Sequence, residues 1–186
     1  PKTGLTALTE ALQLLGYSVY RHFNETVSKQ YRSHRAIWKE ALTSKSREPL
    51  HTLADEIIAL GFDAILDMPA SWLTLQLWER FPEAKVILTT RSSSGVWFES
   101  WQENAKIGAQ LRFWPYRISR QHRLHTQIDD IIWGSRGCMD VTNGQVTEAL
   151  RESCIASHKR QNAAVRAAIP QSQLLEYQVS QGWEPL

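Results

Sequence analysis

The chain has 186 residues, 42% of them hydrophobic and 22% charged, with a net charge of +2 at neutral pH. That length suits one domain with a real core, and so small a charge argues against a nucleic-acid or anionic-membrane partner. Two cysteines, Cys138 and Cys154, are too few for a disulfide framework or a metal cluster and read as separate thiols; no apolar run approaches the roughly 20 residues of a membrane span and no secretory core is present, so a cytoplasmic protein is expected.

Leu5, Leu8, Leu12 and Leu15 share one face at helical spacing, so a helix begins almost at the first residue and is stopped by Gly16. A short strand is predicted at 17–20. The polar stretch 24–50 contains one predicted helix at 35–43, and a second helix at 53–60 ends at Gly61. Ala64, Ile65 and Leu66 form a short apolar strand that ends at Asp67 and is broken by Met68-Pro69. A helix at 73–81 leads through Pro82 into the best strand of the chain, 85–90. Residues 96–133 read as largely helical, 134–144 as a loop, 146–168 as a helix halted before Pro170, and 174–179 as a last strand. Helices alternating with short, continuously apolar strands predict a parallel sheet covered on both faces. Most of the eight tryptophans, Trp97 and Trp101 among them, are expected in the core.

The opening octapeptide, Pro1-Lys2-Thr3-Gly4-Leu5-Thr6-Ala7-Leu8, sets a glycine directly against a helix start. A glycine lets backbone N–H groups turn inward, and the helix N-terminus adds partial positive charge, so phosphate or sulfate is the expected guest. The ATPase loop is excluded, because no second Gly followed by Lys and Ser or Thr is present. A lysine ahead of the glycine instead resembles the 5′-phosphosulfate loop of sulfotransferases, roughly P-K-[ST]-G-T-[TS]-[SW]-L, with departures at Leu5 and Ala7, where hydroxyls are usual. Four further stretches match the bacterial and fungal branch of that superfamily in order. Asp67 to Ala70 resembles D-x-P-A. Residues 81–91 resemble Y-P-x-A-K-x-I-L-T-x-R. Trp97 to Ser100 resembles W-x-x-S, one residue further from the strand than usual. Leu174 to Tyr177 and Gly182 to Leu186 resemble L-L-x-[YF] and G-W-E-P-L. Residues 24–50 and 104–145 match poorly.

The resemblance implies a single α/β domain over 1–186, a P-loop-type three-layer fold with a central parallel sheet flanked by helices, whose loop normally follows a buried strand; a strand before Pro1 and further chain past Leu186 are therefore expected. It implies a sulfotransferase that moves a sulfonate from 3′-phosphoadenosine-5′-phosphosulfate (PAPS) to a hydroxyl or amine of a small-molecule acceptor, without a metal. Lys2 would neutralise charge on the bridging oxygen. Lys2, Thr3, Gly4, Leu5, Thr6 and Ala7 would hold the 5′ end of the cofactor, and Arg91 with Ser100 its 3′-phosphate, a role suited to a forked guanidinium. Asp67, at the carboxyl end of a parallel strand where ligands bind in open α/β sheets, is the first choice for general base, with a helix N-cap as the competing role; His22 is the second choice. A homodimer is compatible with all of this. Two alternatives stay open: a catalytically inactive nucleotide-binding or interaction module on the same fold, and a P-loop kinase. The basic and aromatic residues from Arg112 to His125 read as a lid over an anionic nucleotide or as a solvated helix face, and His122 and His125 are too isolated for a metal site.

Overall fold

The structure, a computed structural model, describes residues 3–21, 31–110, 118–138 and 146–186. It is mixed α/β, mostly helical, with short parallel strands. In chain order the elements are α1 (Leu5–Leu14), β1 (Val19–Arg21), α2 (His34–Thr43), α3 (Glu48–Ala59), β2 (Ala64–Leu66), a 3-10 turn (Ala70–Trp72), α4 (Thr74–Arg80), β3 (Val86–Thr89), α5 (Ser94–Gln110), α6 (Arg120–Ser135), α7 (Glu148–Ala168), β4 (Leu174–Tyr177) and a second 3-10 turn (Val179–Gln181).

Local chemistry explains the boundaries. At the end of α1, Gly16 takes φ 95° and the Tyr17 N–H reaches back to the Leu12 carbonyl at 2.9 Å. Tyr17 thus belongs to the helix cap, so β1 starts at Val19 rather than at 17. Helix α3 begins earlier than the sequence pattern suggests because Pro49 lies in its first turn, where a missing N–H costs nothing. The Thr147 hydroxyl accepts from the Leu150 N–H and caps α7.

β1 runs parallel to β2, with Val19 beside Ala64 and Arg21 beside Leu66, and β3 runs parallel to β4, with Val86 beside Leu174 and Thr89 beside Tyr177. Both pairs carry apolar residues on both faces. Val19 of the first pair and Tyr177 of the second form one cluster with Leu8 and Leu12 of α1, and Ala64, Leu66, Ile87 and Leu175 pack against that cluster. On the reverse side, Val86, Leu88 and Leu174 meet α7 and α4 through Val165, Ile169, Leu75 and Trp78. Tyr20 and Ile65 enter the main core, which α2, α3, α5 and α6 build around Trp38, Leu53, Trp97, Trp101 and Ile132. Coverage of each pair by helices on both faces follows the alternation of the sequence. Among the described residues the two pairs do not join into one continuous sheet; α1 is what unites them.

One expectation is corrected. Cys138 and Cys154 are not separate thiols but a disulfide, with Cα atoms 5.3 Å apart, that ties the end of α6 to α7. The folded helices supply the proximity, which a spacing of 16 along the chain does not reveal. No helix among the described residues is long and apolar enough to cross a membrane.

Candidate active site

The carboxyl ends of β1, β2 and β3 meet at the amino end of α1. Gly4 precedes the helix with φ 87° and ψ 27°, a left-handed conformation that a glycine adopts without cost. A Cβ at that position would lie 2.0 Å from Cγ2 of Val179, so the glycine is demanded by packing as well as by backbone. The Leu8 N–H is the first to find a helical acceptor, the Gly4 carbonyl at 3.0 Å. Among the described residues the N–H groups of Leu5, Thr6 and Ala7 have none. No acidic residue and no side-chain cap occupies this turn, so its positive end is available to an anion.

Two side-chain bridges fasten this loop to the strands. The buried Thr3 hydroxyl is hydrogen-bonded to the Thr89 hydroxyl at the end of β3. Arg21, the last residue of β1, donates from Nη1 to the Thr6 hydroxyl at 3.3 Å and from Nε to Oδ2 of Asp67 at 3.4 Å. Beneath Arg21 the strand is locked by Tyr20, whose hydroxyl accepts from Trp38 Nε1 at 3.3 Å and lies 3.0 Å from Nδ1 of the buried His34.

Asp67 follows β2 with φ 74°, the left-handed region that Asp tolerates better than most residues. The turn is closed by the Met68 N–H donating to Oδ1 at 2.8 Å and by the Ser71 N–H donating to the Asp67 carbonyl. The next peptide, Met68-Pro69, is cis. The carboxylate caps neither the following 3-10 turn nor α4. It is turned instead to Arg21, 85% buried on its side chain.

Of the residues singled out in the sequence, Thr3, Gly4, Leu5, Thr6, Ala7 and Asp67 therefore come together. Arg91 stands exposed just past the end of β3, and Ser100 lies half-buried in α5. Among the described residues no hydrogen bond joins that pair. Lys2 and His22 lie outside the described residues, as does 111–117 of the basic and aromatic segment; its continuation is helix α6. Two participants were missed by sequence reasoning, Arg21 and Thr89. A polar residue closing a short apolar strand is the signal that marks both, the same signal that drew attention to Asp67 and Arg91. No group of three or more His, Cys, Asp or Glu side chains among the described residues is arranged to hold a metal ion.

A family model described as a sulfotransferase domain matches residues 1–186. A curated relative, the Ava biosynthesis cluster protein M of Aspergillus versicolor, is 28% identical over 189 residues, spanning 100% of this chain and 71% of the relative. With a glycine turn leading into α1, Asp and Arg residues at strand ends, and a family match from first residue to last, the chain belongs to the sulfotransferase domain family.

Proposed function

We propose that the protein transfers a sulfonate from PAPS to a hydroxyl or amine of a small-molecule acceptor in the cytoplasm. The observation that carries this reading is the Thr6–Arg21–Asp67 bridge, which sets a buried carboxylate beside an anion-binding helix terminus. The residues suit the cofactor's chemistry: unsatisfied N–H groups for the 5′-phosphosulfate, and Arg91 at the adjoining strand end, with Ser100, for the 3′-phosphate. PAPS, when bound, supplies the activated sulfonate. Lys2 and the α1 terminus stabilise negative charge on the departing phosphate side. Asp67 takes the acceptor's proton at Oδ1 or Oδ2, and Arg21 orients that carboxylate. His22 is the alternative base.

Leu5 and Ala7 withdraw hydroxyls that the family's loop usually presents, which favours an inactive binding module as the second reading. Thermal-shift titration with adenosine 3′,5′-bisphosphate, and with ATP plus magnesium, separates the cases. Stabilisation by the bisphosphate is expected, followed by transfer of labelled sulfonate to members of a phenol, alcohol and amine panel. A response to ATP and magnesium alone would indicate a kinase. Bisphosphate binding with no transfer, or no binding at all, would indicate the inactive module.

A further inference from the structure

Arg136, at the end of α6, is only 5% exposed, and its Nε has no hydrogen-bond partner among the described residues. No carboxylate among the described residues offsets its burial, which holds the guanidinium down at about 10. Its Cζ lies 4.1 Å from the ring centre of Trp72 and 5.2 Å from that of Trp133. Around it, His158 stacks on Trp97 with ring centres 3.9 Å apart and leaves Nδ1 unpartnered, and Gln161 donates to the Trp72 carbonyl at 3.4 Å.

A guanidinium is all donor and no acceptor. Taken out of water it needs a counter-charge, and breaking or omitting that pairing is among the larger penalties a fold can carry. Cation–π contact with two indoles offsets only part of that cost and leaves the Nε–H, which lies in the guanidinium plane, without an acceptor among the described residues. No described residue supplies the counter-charge, and an anion delivered from outside would supply it. Charge matching selects a monoanion, because a phosphate dianion would leave one negative charge buried in turn. Planarity selects a carboxylate, whose two oxygens meet the guanidinium fork side by side. The indoles select an apolar body attached to it.

We infer that Arg136 is the seat for the carboxylate of a bound organic ligand, with Trp72 and Trp133 holding the apolar body beside it. Trp72 ends the short turn that begins at Asp67 and passes through the cis proline. If sulfonate transfer at Asp67 is granted, as proposed above, the ligand is the acceptor itself. Its class is then a hydroxy- or amino-carboxylate: the hydroxyl or amine receives the sulfonate, and the carboxylate is gripped by Arg136.

The test uses the whole chain and thermal-shift titration with hydroxyphenylpropionate and indole carboxylate, their neutral amides, sulfate and inorganic phosphate. The carboxylates should raise the wild-type melting temperature saturably and the amides should not. Arg136→Met should abolish that response while melting no lower than the wild type without ligand, because an uncompensated charge has been removed. Arg136→Lys, which keeps charge but loses the fork, should weaken the affinity at least tenfold. A wild type indifferent to every carboxylate overturns the proposal, whatever the variants do. So does a carboxylate response that survives in Arg136→Met. Sulfate or phosphate acting through Arg136 as strongly as the carboxylates overturns the carboxylate assignment in favour of an inorganic oxyanion. None of these measurements involves transfer. Failure to bind adenosine 3′,5′-bisphosphate would remove the sulfotransferase reading and leave the carboxylate seat standing.

Discussion

Arg21 and Asp67 face each other across the β1–β2 pair at 3.4 Å, and the same guanidinium reaches Thr6 on the anion loop. The bridge makes separable demands on its members. Asp67→Asn should leave bisphosphate affinity within a few-fold while lowering turnover by roughly 10²–10⁴, the usual share of general acid–base catalysis. Arg21→Met should lower turnover and weaken bisphosphate together, since it frees both the carboxylate and the loop. Calorimetry and a labelled-sulfonate assay read the two effects. Normal turnover in Asp67→Asn beside a dead His22→Ala would transfer the role of base to His22.

Arg91 projects from the carboxyl end of β3, one position past Thr90, whose N–H is held by the Tyr177 carbonyl at 2.9 Å. With its backbone anchored in this way, Arg91→Ala should fold normally. It should weaken adenosine 3′,5′-bisphosphate by about 1.5–3 kcal/mol, the range for a hydrogen bond to a charged group, and weaken adenosine 5′-monophosphate far less. Equal losses for both nucleotides would remove the 3′-phosphate from its assignment.

Gly4 has two reasons to be glycine, its φ of 87° and the Val179 methyl that a Cβ would meet at 2.0 Å. Gly4→Ala should therefore cost on the order of 2–4 kcal/mol, about 1–2 from the left-handed backbone and the remainder from overpacking. Adding Val179→Ala should recover the packing share alone. Denaturant unfolding of the two variants resolves the contributions, and full recovery in the double variant would mean the backbone conformation carries no penalty.

The Cys138–Cys154 disulfide joins positions 16 apart in the chain. Chain-entropy reasoning gives it about 3 kcal/mol of stability. Dithiothreitol, and Cys154→Ser, should each lower the denaturation midpoint accordingly. Thiol titration of unfolded, unreduced protein should find no free thiol. A structural disulfide belongs to oxidising surroundings, so recovery of both thiols from freshly lysed cells would favour the cytoplasmic assignment and show that the bond forms afterwards.

Burial, reinforced by the charges of Arg136 and Arg166, holds the His158 imidazole down at about 4. The unfolded chain takes up this proton near pH 6.5 and the folded one only near pH 4. His158 therefore favours the folded state above pH 6.5, and that contribution fades as pH falls through the window between the two values. Because the ring is partly exposed, a loss of about 1–2 kcal/mol is expected between pH 7 and 4. His158→Gln should flatten the melting temperature over this window. An unchanged pH profile in that variant would assign the acid sensitivity to other groups.

Much of the fold was legible because its signals are local. Leu8 and Leu12 mark the buried face of α1, and the apolar runs at Ala64–Leu66 and Val86–Thr89 become strands where the pattern puts them. The glycine turn into α1 was legible for the same reason, since Gly4 stands next to the helix it precedes. What escaped notice depends on residues that are neighbours only in space. Arg21 and Asp67 are separated by 46 positions, Thr3 and Thr89 by 86, and no periodicity connects them. The disulfide was missed because two cysteines carry no pattern at all. Arg136 was missed because its distinction is burial with no carboxylate beside it among the described residues, a property that only packing reveals.

Helix α1 lies over both strand pairs, and its Leu8 and Leu12 are shared between them. Neither ladder can shed its apolar face without wetting the surface that protects the other. The pairs are thereby bound into one cooperative unit although no backbone hydrogen bond among the described residues crosses from β2 to β3. An anion captured at the amino end of α1 would tighten that common roof, and amide exchange should slow as far away as β4, at residues that never approach the ligand.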